Sequence, residues 1–370
     1  MSGASTAEAQ VLAGYTVANT ADRRREELTA LLERRGARVL SVPAVRIVPL
    51  ADDAGLLAAT RAAVAAPLDD VVVTTGIGFR SWLEAARSWD LGEPLLARLA
   101  GARLLTRGPK ATGAVRAAGL AESWSAASET VRELGEYLSG QPLSGRRIAV
   151  QLHGGPLPEL CAALRAGGAS VVEVPVYRWL PPADPEPLSR LVEQIAAGQV
   201  DAVAFTSAPA VANLLAAART AGTLPALLTA LRGVVLAACV GPVCAQPLED
   251  LGVPTLQPDR GRMGSLARAI TDTLPGRALH ARPAGRSLVV RGHAVLLDGA
   301  LIPLPPAPMA MLRTLAAAPD RVVTRAELRG GADDHAVEVT VARLRAALGD
   351  GSIVQTVVKR GYRLAPAAAP

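Results

Sequence analysis

Between residues 11 and 274 the chain alternates short apolar runs with Ala/Leu-rich amphipathic stretches. Glu26–Arg35 reads as a helix stopped at Gly36, and Val39–Val42 as a strand. Asp70–Thr74 is an unbroken apolar run leading into a small-residue turn and a helix over Phe79–Ala86. Such strands lack polar alternation because both faces are covered. The pattern predicts parallel sheets with helices on both sides. Beyond Gly285 the pattern changes. Thr324 is placed to cap a short helix, with Glu327 three residues on. Over Ala336–Leu348 the apolar residues Val337, Val341, Leu344 and Leu348 share one helical face, which leaves Thr340 and Arg343 outside it. A basic, Gly-turned hairpin follows, ending at Lys359-Arg360-Gly361-Tyr362-Arg363-Leu364. A helix carrying arginines followed by a basic hairpin suits the DNA major groove and its flanking phosphates.

The α/β part repeats itself. Gly36-Ala37-Arg38-Val39-Leu40-Ser41-Val42-Pro43 recurs from Gly168, the run from Asp70 recurs from Asp201, and Gly108-Pro109 recurs as Gly241-Pro242. The offsets are 132, 131 and 133, in order along the chain. Ligands of such folds sit at the carboxyl ends of strands, against helix N-termini. The turns expected there hold Thr75, Gly76, Gly108, Lys110, His153, Gly154, Thr206, Ser207, Gly241 and Cys244. They are small or polar and offer backbone N–H groups, which suits an anionic ligand in a cleft between two lobes.

Composition narrows the picture slightly. Half of the 370 residues are hydrophobic and 19% are charged, ample for two or three packed domains. From Gly285 onward basic residues outnumber acidic ones by 11 to 7, against 28 to 26 before it, so the smaller segment is the more basic. Cys161, Cys239 and Cys244 lie in apolar surroundings without a CxxC, which predicts buried thiols and no metal site. The longest apolar run, Val234–Val243, is too short to span a bilayer, and no leader pattern opens the chain, so a cytoplasmic protein is expected.

Val174-Pro175-Val176-Tyr177-Arg178, the run Asp201 to Ser207, and Gly241-Pro242-Val243-Cys244 resemble uroporphyrinogen-III synthase. The resemblance implies two α/β lobes joined by a two-stranded linker, over residues 11–274. Lobe one would be 11–44 with 176–274, and lobe two 46–174. It also implies ring closure of a linear tetrapyrrole without cofactor or metal, with Tyr177 as the catalytic residue if activity survives. Departures stand beside it: Asn19-Thr20-Ala21 replaces Thr-Arg-Pro, and the first lobe's Thr-Ser turn reads Thr75-Gly76. Both Gly-Pro-x-Thr turns lack the threonine, reading Gly108-Pro109-Lys110-Ala111 and Gly241-Pro242-Val243-Cys244. A cleft that has lost hydroxyl donors points to binding rather than full catalysis.

Val295–Leu304, Met309–Ala317, Val322–Leu328 and Ala336–Leu348 resemble the winged-helix effector domain of OmpR/PhoB-type regulators over residues 288–365. By that resemblance Arg343 would reach base edges and Thr340 and Arg345 would touch backbone or position the helix. Thr356 and Tyr362 would lie near phosphate; Lys359 and Arg360 replace a Gly and a small polar residue of the family, making the wing more basic and adding two expected DNA contacts, and Val358 stands where the family carries a minor-groove arginine.

The expected layout is a disordered N-terminus over 1–10, the synthase-like module, a flexible linker over 275–287, the winged helix and a tail over 366–370. The fold class is α/β: a two-lobed, duplicated parallel-sheet module followed by a small α+β winged helix. The combination resembles actinobacterial regulators of nitrate and nitrite assimilation, with Thr74–Trp82 and Arg107–Gly113 strengthening the match. The expected partners are promoter DNA, a tetrapyrrole or other anionic small molecule, and a second transcription regulator, with no membrane. An active synthase carrying a DNA-binding appendage is the alternative.

Overall fold

The computed structural model describes residues 10–49, 54–318, 321–329 and 334–366. Nearly all of the expected N-terminal tail, and residues 367–370 of the expected C-terminal one, lie outside them. The chain opens with β1 (Thr16–Asn19), α1 (Arg25–Glu33) and β2 (Arg38–Ser41). It continues through β3 (Arg46–Pro49), α2 (Ala54–Ala65), β4 (Asp70–Val73), α3 (Gly76–Ser88), α4 (Gly92–Ala100), β5 (Arg103–Thr106), α5 (Pro109–Ala117), β6 (Glu122–Ser125), α6 (Val131–Ser139), β7 (Arg147–Gly154), α7 (Pro158–Ala166) and β8 (Ser170–Leu180). The first fold resumes with α8 (Glu186–Ala196), β9 (Ala202–Phe205), α9 (Ala208–Thr220), α10 (Leu224–Arg232), β10 (Leu236–Cys239), α11 (Pro242–Glu249), β11 (Thr255–Leu256) and α12 (Met263–Thr273).

Residues 46–180 form one compact unit, and 1–45 with 181–370 form the other. In the 46–180 unit six strands run in the order β3-β8-β7-β4-β5-β6, all parallel except the β3·β8 pair. Alternation sends Val71 and Val73 to one face of this sheet and Val72 to the other. The two buried clusters, one around Trp82 and Phe79 and one around Leu134 and Leu164, cover those two faces. The other unit holds a fully parallel sheet ordered β11-β10-β9-β1-β2.

Three sequence expectations shift. The boundary expected near 174–176 lies at residue 180, because β8 does not stop at Pro175. Its first half pairs with β7, and its second half runs on antiparallel to β3, from Tyr177 opposite Pro49 to Leu180 opposite Arg46. The duplication is in a register one residue different at the central strand. Ala202 pairs with Val17 and Leu236, while Asp70 pairs with Ile148 and Arg103. Asp70 therefore occupies the place of Ala202, and Asp69 that of Asp201. The hydroxyl turn has not been lost: Thr74-Thr75 stands where the second repeat has Thr206-Ser207.

The segment 275–287 is no free linker. After a 3₁₀ turn at Leu274–Arg277 it forms β12 (Leu279–Ala281), which pairs antiparallel with β13 (Leu288–Val290). A second 3₁₀ turn, Pro283–Gly285, is tied down by the Ala284 N–H donating to Pro366 O at 3.1 Å. Strands β12 to β15, with β14 (Ala294–Leu297) and β15 (Ala300–Pro303), make a four-stranded antiparallel sheet. It leads into α13 (Pro306–Ala316), α14 (Arg325–Arg329), α15 (Asp334–Leu348) and the hairpin β16 (Val354–Val357)–β17 (Gly361–Leu364). The stripe read from the sequence is the core here: Val337, Val341, Leu344 and Leu348 are all buried, packed with Leu312, Leu315 and Ile353.

Candidate ligand and nucleic-acid sites

Within the 46–180 unit, three strands end side by side and two helices begin there. Thr75 caps α3, its Oγ1 accepting from the Gly78 N–H at 3.2 Å. The Gln151 Nε2 donates to the same Oγ1 at 3.0 Å and to Thr75 O at 3.1 Å. Glycines let these pieces close in: a Cβ on Gly76 would lie 2.1 Å from Lys110 O, and one on Gly78 2.1 Å from Gln151 Nε2. Gly108 caps α5, whose first residue is Pro109.

Around this end stand a cation and three rings. Arg107, half-buried after β5, is less readily ionised than usual because burial disfavours its charge, an effect that Tyr177 and Glu129 partly offset. Burial pushes the His153 imidazole down to about 4, and the nearby Arg107 guanidinium pushes the same way. His153 is therefore neutral at pH 7. Its ring meets Trp179 edge-on, centroids 5.7 Å apart, and Trp179 lies 6.3 Å from the Tyr177 ring. Gly154, at φ +91, lies under the indole, where a Cβ would come within 2.3 Å of it. His153 Nδ1 and Gln151 Oε1 are buried without a hydrogen-bond partner among the described residues. A buried polar atom left unpaired costs about 1–3 kcal/mol, so a hydrogen-bonding partner at either atom would be favoured.

Of the residues expected here, Thr75, Gly76, Gly108, His153, Gly154 and Tyr177 come together at this end of the sheet. Lys110 is exposed on the first turn of α5. Arg107, Gln151 and Trp179 were not foreseen. Arg107 and Gln151 could have been found, one by its place beside Gly108-Pro109 and the other as the polar residue closing an apolar strand. Trp179 needed the β3·β8 pairing.

The corresponding turns of the other lobe are held differently. Thr206 and Ser207 are half-buried, and Ser207 caps α9 through backbone alone. Thr20 donates to Ala204 O at 2.8 Å, and Asn19 bonds to Arg25 O and Thr29. Cys244, expected to line the site, is buried as a free thiol hydrogen-bonded with Cys239, which together with burial pushes the Cys239 thiol far up. It packs the strand–helix corner and offers nothing to a ligand; Gly241 remains there as the helix cap. Among the described residues no group of three His, Cys, Asp or Glu side chains could hold a metal ion.

The basic helix and hairpin divide the expected DNA contacts by role. Arg343 is exposed and makes no hydrogen bond or ion pair with any described residue. Lys359 and Arg360 are exposed at the hairpin tip, beside Val358 at 78% exposure. Thr340 is half-buried and donates back to Ala336 O at 2.7 Å. Arg345 is bound to the hairpin, through Val354 O at 2.6 Å and Thr356 Oγ1 at 2.9 Å. Tyr362, expected near phosphate, is buried under the Arg325 guanidinium, 5.7 Å from its ring centre. The reason is pairing: Tyr362 exchanges backbone hydrogen bonds of 2.8 and 2.9 Å with Val323, which fixes its ring inward. The capping box forms, with Glu327 Oε2 accepting from the Thr324 N–H at 2.8 Å and Thr324 Oγ1 from the Glu327 N–H at 3.2 Å. The Thr324 N–H and Arg321 hold the Glu327 carboxyl at about 2.

Residues 26–268 match the family described as uroporphyrinogen-III synthase HemD. The chain belongs to that family. Residues 299–364 match a second one, described as the C-terminal part of transcriptional regulatory proteins. The uncharacterized protein YjjA of Bacillus subtilis is 31% identical over 261 residues, which cover 69% of this chain and 94% of that protein. A putative uroporphyrinogen-III synthase of Methanothermobacter thermautotrophicus is 29% identical over 141 residues, 38% of this chain and 54% of the relative. Among solved structures, a mutant uroporphyrinogen-III synthase of the extremely thermophilic bacterium Thermus thermophilus is similar with a TM-score of 0.58 and 34% identity. It covers 70% of this chain and 99% of that one. The HemD-type module is therefore joined here to a DNA-binding regulatory domain of the OmpR/PhoB type. No described helix is long and apolar enough to cross a membrane.

Proposed function

We propose that this protein regulates transcription of genes for nitrogen assimilation, with its HemD-type module as the sensor. The observation that carries the sensing role is the half-buried Arg107 beside the buried, unpaired His153 Nδ1 and Gln151 Oε1. One cation, a neutral imidazole and two helix N-termini suit the carboxylates of an acidic ligand, a tetrapyrrole among them, while Gln151 Oε1 can accept only from an N–H or O–H of that ligand. The nitrate and nitrite assignment is supported by the resemblance of Thr74–Trp82 and Arg107–Gly113 to such regulators. Mapping the DNA bound across the genome tests it. Sites upstream of nitrate or nitrite reductase genes are expected, and a set lacking them would overturn that assignment.

Retained Tyr177 and Ser207 support the second reading, an active synthase. Complementation of a synthase-deficient strain by the full chain separates the two. A sensor leaves that strain deficient although the protein accumulates. If the module instead recruits a second regulator, promoter binding becomes cooperative with that factor and insensitive to tetrapyrroles.

A further inference from the structure

Asp69 and Asp201 occupy the same place in the two repeats, one residue before the central strand of each parallel sheet. Each makes the same local bonds. Asp69 donates through its N–H to Arg147 O at 2.9 Å, and its carboxylate accepts from the Arg147 N–H at 2.7 Å. Asp201 donates to Thr16 O at 2.9 Å and accepts from the Thr16 N–H at 2.7 Å. The difference is what covers them. Asp69 is exposed, whereas the Asp201 side chain is only 12% exposed. What buries it is the winged helix of the same unit.

Arg313, on α13, reaches Asp201 Oδ1 with Nη2 at 3.4 Å. The same nitrogen donates to Gly292 O at 2.7 Å and Arg291 O at 3.1 Å, so the β13–β14 turn and α13 meet on this carboxylate. The turn is pressed against it: a Cβ on Gly292 would lie 1.8 Å from Asp201 Oδ2. Its neighbours extend the contact along the chain before β1. Arg291 Nη1 donates to Ala13 O at 2.6 Å, and its guanidinium lies 5.4 Å from the centre of the Tyr15 ring. The His293 N–H donates to Gly14 O at 2.7 Å, and its Nδ1 lies 3.2 Å from Thr16 Oγ1. Burial raises the Asp201 carboxyl to about 6, as expected for an acid desolvated by a docked partner with one arginine in partial compensation.

We propose that Asp201, Arg313 and Gly292 form a latch that fixes the orientation of the DNA-reading domain on its own α/β lobe. It orients and does not mask: the latch uses the β13–β14 turn and α13, and the side chains of Arg343, Lys359 and Arg360 bond to no described residue. It also sits where a signal could reach it. Asp201 and Thr16 precede or begin β9 and β1, and the opposite ends of those two strands carry Thr206-Ser207 and Asn19-Thr20. A shift of either strand on its long axis moves the carboxylate that holds the reader.

The test uses the full chain with spin labels on Ala226→Cys in α10 and Ala346→Cys in α15, both exposed positions. The parent gives one narrow distance distribution. Arg313→Gln and, independently, Gly292→Ala at least double its width. Both also raise tryptic cleavage after Arg277 about tenfold. Arg286→Gln, which removes ion pairs to Asp298 and Asp350 inside the winged helix, leaves the distribution as in the parent. Affinity of Arg313→Gln for a single DNA site stays within about twofold of the parent, measured on protein whose circular dichroism matches it. A parent distribution already as broad as that of the variants overturns the latch, as does a narrow one in both variants. Tightening of DNA binding more than about fivefold overturns orientation in favour of masking.

Discussion

Arg345 donates to Thr356 Oγ1 at 2.9 Å, and with Nε and Nη2 to Val354 O at 2.9 and 2.6 Å. This arginine joins α15 to the β16–β17 hairpin and fixes one against the other. Arg343, two residues earlier, is exposed and unengaged. The two arginines should therefore fail differently. Arg345→Ala is expected to lower stability by about 1–2 kcal/mol, because Val354 O and Thr356 lose a charged donor. Arg343→Ala should leave the melt within about 0.5 kcal/mol and lose about 1–3 kcal/mol of binding at the cognate site only. Thermal melts beside competition with random duplex check both, and an unchanged melt for Arg345→Ala would refute the strut.

Lys359 sits at φ 60 in the hairpin turn that the Arg360 N–H closes on Val357 O at 2.9 Å. A left-handed non-glycine residue costs about 1–2 kcal/mol. Lys359→Gly is expected to stabilise the domain by roughly 1 kcal/mol while weakening DNA binding. If the lysine neutralises one phosphate, the slope of log K against log salt falls by about 0.9. Salt titrations of both proteins give the number, and equal slopes would remove Lys359 from the interface.

Trp179 packs on Gly154, leaving no room for a methyl group. Gly154→Ala should displace the indole and strain a backbone held at φ +91, costing about 2–3 kcal/mol. Near-ultraviolet dichroism and urea melts report the two effects together. Loss of stability with an unchanged tryptophan signal would mean that the backbone alone responds.

His153 gives a pH dependence with a definite sign. Its folded value, about 4, lies below its ordinary 6.5, so the unfolded chain binds the extra proton first. The stability it contributes is whole above pH 6.5 and is lost as pH falls towards 4, by about 3 kcal/mol in total. His153→Gln should flatten that part of the profile. Denaturant melts at half-unit steps, parent minus variant, isolate the contribution, and a difference constant from pH 7 to 4.5 would contradict the buried neutral imidazole.

Local chemistry accounts for what could be read early. Val71 to Val73 is a strand covered on both faces because β-branched residues follow one another without a polar break. Thr324 and Glu327 cap their helix because hydroxyl and carboxylate reach the free N–H groups of one turn. Val337, Val341, Leu344 and Leu348 share a face because a helix repeats every 3.6 residues. The duplication was visible too, yet its register was off by one at Asp70. The aspartates of the two repeats look interchangeable in the string, and only strand pairing distinguishes Asp69 from Asp70 as the counterpart of Asp201.

The sequence by itself therefore determined the α/β class, the repeat, the winged helix and the exposure of Arg343. Tertiary structure alone decided that Trp179 joins Arg107, Gln151, His153 and Tyr177 at one end of a sheet. It likewise turned Tyr362 inward, made Arg345 a strut, and covered Asp201 while leaving Asp69 in solvent. Helix and strand propensities act over a few residues and are written in order along the chain. A side chain's partner is set by which distant strands lie beside it, and a charged group does different work according to what buries it.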